Sequence, residues 1–131
     1  MTSILLDTNA LLWLVSSPNR IAAPAREVLG HQANELFVSA VSAWEVAIKT
    51  RIGRLNGAPL LSAWGEILAG MNASELVIDS TDATMAGQLD WEHKDPFDRM
   101  IVAQAARRGL TVATSDSRLM DGALTPVLVT R

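Results

Sequence analysis

Ser3-Ile4-Leu5-Leu6-Asp7-Thr8-Asn9-Ala10-Leu11-Leu12-Trp13-Leu14-Val15 is the stretch on which the fold turns. Ser3–Leu6 is a short, continuously apolar run and reads as a buried strand. Asp7 stands directly at its end, and from Ala10 to Val15 the apolar pattern resumes as the start of a helix.

The same alternation repeats along the chain. Pro24 suits the first turn of a helix through Leu29, which Gly30 ends. Glu35–Val38 reads as a second strand, and Ser42–Ile52 as a helix stopped by Gly53, with Val41, Trp44, Val46, Ala47 and Ile48 supplying its apolar faces. Pro59 precedes a helix to about Met71. Leu76-Val77-Ile78 reads as a third strand. Asp82–Leu89 and Phe97–Arg108 are two more helices, the second closed by Gly109. Thr111–Thr114 is a strand, and Val127–Val129, after Pro126, is a last strand at an edge. Short apolar strands alternating with helices predict an α/β fold with a mainly parallel sheet.

With 131 residues, the chain fits one domain, residues 1–131, long enough to bury a core without staples. It has no cysteine, which excludes disulfide frameworks, thiolate zinc sites and cysteine nucleophiles. Hydrophobic residues make up 49% and charged residues 19%, against global disorder. The net charge of −3 argues against holding nucleic acid by bulk positive charge. No secretory signal or membrane-spanning run is evident, so a soluble, cytoplasmic chain is expected. Phosphate-cradling glycine loops and the G-x-S-x-G elbow are absent, and the two histidines, His31 and His93, make a histidine-based zinc site a poor prospect. A loop or capping role is expected for His93, ahead of the alternative that it leans over the acid cluster.

The acids carry the functional signal. Asp7 follows the first strand, Glu45 lies in the first turn of the helix after the second, and Asp116 lies two residues past the Thr111–Thr114 strand. In a parallel α/β sheet the strand carboxyl ends share one edge, where ligands bind. Asp98 opens the helix leading into the Thr111 strand. A directly antiparallel helix is expected to place it at the opposite edge, so Asp98 joins the others only after a crossover or with an oblique helix. Each acid has a plainer reading. Ser42-Ala43-Trp44-Glu45 is a capping box; Asp95 caps a helix with Pro96 at its first position and Asp98 favoured by the dipole; Asp7 and Asp116 could be caps. Clustered carboxylates would need a counter-charge, and a hard divalent cation, Mg²⁺ or Mn²⁺, suits oxygen ligands and phosphoryl chemistry.

These motifs resemble a known family. Ile4–Trp13, Ser42–Lys49, His93–Ala105 and Thr114-Ser115-Asp116 are similar, in order, to the four motifs of PIN-domain ribonucleases, and the third resembles that of VapC-type toxins of bacterial toxin–antitoxin pairs. The resemblance implies a sheet with helices on both faces and a metal site of Asp7, Glu45, Asp98 and Asp116. Asp95 would be a cap or a neighbour of the ligands, and Thr8, Asn9 and Ser115 would orient carboxylates or water. It implies an endoribonuclease, dimeric, neutralised by a small antitoxin whose tail crosses the active-site groove.

For RNA contact, Lys49 and Arg99 are the candidates, against the alternatives of a Glu45–Lys49 helix pair and an Arg99 pair with Asp95 or Glu92. Arg107 and Arg108 read as a solvated face. Among the tryptophans, at least two of the four are expected in the core, while Trp13 and Trp44 are candidates for antitoxin binding. Two rival functions are a phosphatase or phosphotransferase with an Asp nucleophile, which lacks a second Asp two residues after Asp7, and a non-catalytic binding module.

Overall fold

A computed structural model describes residues Met1–Arg131. Five strands, β1 (Ser3–Leu6), β2 (Glu35–Ser39), β3 (Ala73–Leu76), β4 (Thr111–Thr114) and β5 (Val127–Val129), form one sheet in the order β3-β2-β1-β4-β5. All four pairings are parallel. Leu6 pairs with both Val38 and Ala113, so β1, β2 and β4 end level with one another.

Around the sheet lie α1 (Thr8–Ser16), α2 (Ala23–Gly30), α3 (Ala40–Arg51), α4 (Ala58–Ser62), α5 (Trp64–Gly70), α6 (Ser80–Gln88), α7 (Pro96–Arg108) and α8 (Ser117–Gly122). The period of a strand divides the core. Ile4 and Leu6 point to one face, where Leu11, Leu29, Val46 and Leu68 cover them. Leu5 points to the other, under Ile101, Val102 and Leu119. Helices therefore cover both faces, as expected.

The third strand lies earlier than the sequence pattern suggests. Asn72 adopts a left-handed conformation (φ 57°) that turns the chain into the sheet, and Ala73–Leu76 then pair with Leu36–Ser39. Val77, 68% exposed, and Ile78 run off the edge. The helix expected from Pro59 to Met71 breaks at Ala63 into α4 and α5. The short helix α8 follows Asp116, as the capping reading of that acid requires.

Asp98 needs neither a crossover nor an oblique helix. Helix α7 turns through Gly109, at φ 65°, straight into β4. A helix antiparallel to the strand it feeds begins at that strand's carboxyl end, so the expectation of the opposite edge was a geometric error.

Candidate metal centre

Each acid is presented by a local rule. Asp7 caps α1: its Oδ1 accepts the Ala10 amide at 2.7 Å, while its own amide donates to the Ala113 carbonyl at 3.0 Å. Asp116 caps α8, accepting the Arg118 amide at 2.9 Å. Asp95 caps α7 through the amides of Phe97 and Asp98, with Pro96 at the first position. The capping readings of Asp7, Asp95 and Asp116 thus hold. That of Glu45 does not: α3 begins at Ala40 behind a Ser39 cap, so Ser42 and Glu45 lie inside the helix. The Ser42 hydroxyl instead shares a buried 2.9 Å hydrogen bond with Thr8.

The acids sense one another. Asp7 and Glu45 are buried, at 4% and 7% exposure. Burial pushes the Asp7 carboxyl up to about 6; the Thr114 hydroxyl and the Ala10 amide oppose this, and the charges of Asp98 and Glu45 add to it. Burial also raises Asp98, opposed by a hydrogen bond with His93 and reinforced by the charges of Asp95 and Asp116. Burial alone would raise Asp116, but the Arg118 amide and side chain hold it below its ordinary value.

Three of the acids have a basic side chain as partner. Lys49 Nζ donates to Glu45 Oε2 at 2.5 Å, His93 Nε2 lies 2.6 Å from Asp98 Oδ2, and Arg118 reaches Asp116 at 3.4 Å. Asp7, the most buried, has none. A buried carboxylate without a counter-charge, facing other carboxylates, fits a hard cation with oxygen ligands. The donors already within 4.8 Å of one another are His93, Asp95 and Asp98.

Other expected residues separate. Thr8 is buried on Ser42, but Asn9 is exposed, and neither its side chain nor that of Ser115 makes a hydrogen bond within the chain. Thr114, unmarked in the sequence reading, takes their place: its Oγ1 accepts the Asp116 amide at 3.0 Å. Lys49 forms the anticipated helix pair with Glu45. Arg99 touches neither Asp95 nor Glu92 through its side chain; it binds only main-chain carbonyls. Arg107 and Arg108 are exposed, as a solvated face would be, but they are also tied to a buried acid. Both bind the fully buried Asp82, with Gln104. Burial would raise that carboxyl, but the hydrogen bonds hold it well below the usual range.

Trp64 and Trp91 pack against the two cores. Trp13 also packs on the core, beneath the guanidinium groups of Arg20 and Arg131, at 4.8 and 5.8 Å from its ring. Trp44 is not a core residue: it is 55% exposed and meets Phe97 edge-on at 5.1 Å. It borders an apolar groove with Val41, Ile78, Ala86 and Met100. His93 leans over the acid cluster through Asp98, the less favoured of its two sequence readings. Its place, two residues before the Asp95 cap and five before Asp98, is the signal that marks it.

Residues 4–123 match the PIN domain. The chain is 32% identical to Ribonuclease VapC22 of Mycobacterium tuberculosis over 119 residues, 91% of each protein. Its fold is shared with VapBC2 of Rickettsia felis bound to a fragment of promoter DNA, at a TM-score of 0.73 and 12% identity, covering 99% of this chain and 100% of that one. It is shared too with DNA-bound VapBC of Salmonella typhimurium, at a TM-score of 0.70 and 20% identity, covering 98% of each. With its motifs in order, its sheet parallel throughout and its matched span reaching from β1 past Asp116, the chain belongs to the PIN-domain family.

Proposed function

We propose that this protein is a metal-dependent endoribonuclease, the toxin of a toxin–antitoxin pair, working as one catalytic domain. Asp7, Glu45, Asp98 and Asp116 hold Mg²⁺ or Mn²⁺. The observation that carries the reading is the buried, cation-free Asp7 carboxylate, raised by burial and by the charges of Asp98 and Glu45. The likeness to a mycobacterial ribonuclease along 91% of the chain supports RNA as the substrate.

The bound ion would supply Lewis-acid charge for the phosphate oxygens and lower the pKa of water. The chain's own groups build and guard the site. The Ala10 amide holds Asp7 Oδ1 at the head of α1, where the helix dipole favours an anion. Thr8 and Ser42 lock α1 to α3, and with it Asp7 to Glu45. Lys49, half-buried beside Glu45, would be left to meet an RNA phosphate if Glu45 held the ion.

The partner is a small antitoxin protein. An apolar segment of it would cover the groove beside Trp44, and the VapBC complexes that share this fold support such pairing. The reading places the protein in the cytoplasm as a homodimer; no helix is long and apolar enough to cross a membrane.

The test is cleavage of a fluorescent RNA by wild type, Asp7→Asn and Asp98→Asn, with Mg²⁺, with Mn²⁺ and with EDTA. Wild type should cut only with metal, and both variants should lose the activity. Metal-dependent cleavage retained by both folded variants would sink the assignment. Mapping 5′ ends after brief expression, beside Asp7→Asn, identifies the RNA that is cut.

A further inference from the structure

Arg99 is wholly committed to the main chain. A guanidinium has five N–H donors. Nε donates to the Ala86 carbonyl at 2.8 Å, Nη1 to Trp91 at 2.7 Å and His93 at 3.0 Å, and Nη2 to Gly87 at 3.3 Å and Leu89 at 2.8 Å. Ala86 and Gly87 lie in the last turn of α6, whose unpaired carbonyls and negative dipole end suit a cation. The other three carbonyls belong to the segment between α6 and α7, which has no regular structure of its own. One side chain thereby holds the backbone of that segment.

The segment delivers His93. Its ring lies beside Trp91, with centroids 4.9 Å apart. Trp91 is in turn seated on Gly122, where an added Cβ would come within 2.2 Å of the indole. The His93 side chain is only 12% exposed, and its Nε2 meets Asp98 Oδ2 at 2.6 Å.

We propose that Arg99 and His93 are positioning residues for the metal centre: the Arg99 cage fixes the segment, and His93 Nε2–H binds Asp98 Oδ2, which would leave Oδ1 for a metal. The proposal rests on the four-acid reading above. It gives a physical reason for so complete a cage next to an acid. A carboxylate held by one oxygen has its plane fixed, and such outer hydrogen bonds commonly set metal affinity by about 10- to 100-fold.

The experiment is Mn²⁺ binding followed by electron paramagnetic resonance, on wild type, Asp7→Asn, His93→Leu, His93→Gln and Arg99→Lys, each first checked for a cooperative thermal transition. Gln carries a donor at the reach of Nε2; Leu does not. His93→Leu should raise the Mn²⁺ dissociation constant about tenfold or more. His93→Gln should restore it to within about threefold of wild type on the same scale. Arg99→Lys, which cannot bind five carbonyls, should weaken binding as His93→Leu does. If His93→Leu binds as wild type does while Asp7→Asn does not, the positioning role is wrong and the four-acid site stands. Equal loss in His93→Leu and His93→Gln, or ¹⁴N coupling from His93 to the bound Mn²⁺, also overturns it, the latter by making His93 a ligand. If Asp7→Asn binds Mn²⁺ unchanged, the four-acid site itself fails and takes the proposal with it. Should Arg99→Lys not fold, the two His93 variants decide the matter.

Discussion

Thr8 and Ser42 meet hydroxyl to hydroxyl at 2.9 Å, both buried, one residue after Asp7 and one helical turn before Glu45. The bond joins the first turn of α1 to α3 and so adds a side-chain link between two acids whose strands, β1 and β2, are already paired. Ser42→Ala should leave the Thr8 hydroxyl without its partner, at a cost of about 1–3 kcal/mol. Denaturant unfolding measures that cost, and divalent-ion binding should weaken with it. Stability lost with metal affinity intact would reduce the pair to a packing contact.

Asp7 predicts a pH dependence of unusual sign for an acid. Its folded pKa, about 6, lies above that of an unfolded Asp, near 4. The folded state therefore favours the neutral form. This contribution to stability is fully present below about pH 4 and is lost as pH rises through 6. At pH 7.5 the ionised carboxylate costs the metal-free protein on the order of 3 kcal/mol. Asp7→Asn retains a capping oxygen and should raise the melting temperature at pH 7.5 by several degrees, with the gain vanishing near pH 4. Mn²⁺ should stabilise wild type at pH 7.5 and not the variant. Scans across that range, with and without metal, check both points.

Most of this was legible from residue patterns. Ser3–Leu6, Glu35–Val38 and Thr111–Thr114 declared themselves by apolar runs flanked by turn residues, and the level ends of those strands bring the acids together. Leu76-Val77-Ile78 misled because apolarity is a poor guide at a sheet edge. There the backbone turn at Asn72 decides which residues pair, and exposed Val77 carries no burial signal. Glu45 looked like a capping residue because Ser42 precedes it at the right spacing; Ser39, equally suited, took the cap. The partners of Arg99 could not be read, since main-chain carbonyls leave no pattern in side-chain order, whereas His93 was marked by its place just ahead of Asp95 and Asp98.

The Asp82 cluster should matter to folding and not to the metal. Asp82→Asn removes a fully buried charge that Arg107, Arg108 and Gln104 bind. Breaking a buried pair from one side should cost about 3 kcal/mol. Chemical denaturation reads the loss, and Mn²⁺ affinity of the folded fraction should stay at the wild-type value.

Trp44 separates partner binding from stability. Its ring is 55% exposed and held mainly by the edge-on contact with Phe97. Trp44→Ala should cost about 1 kcal/mol of stability. It should weaken the complex with the antitoxin by at least about tenfold if the ring anchors that partner. Titration calorimetry with the purified partner checks this, and an unchanged affinity would move the interface elsewhere.

The parallel sheet has a consequence in time. Asp7 and Asp116 approach only when β4 docks on β1, and such long-range pairings are late and slow to form. A chain whose chemistry depends on that docking has no assembled acid cluster until β4 lies beside β1. An inhibitor that recognises the finished edge has that interval in which to arrive.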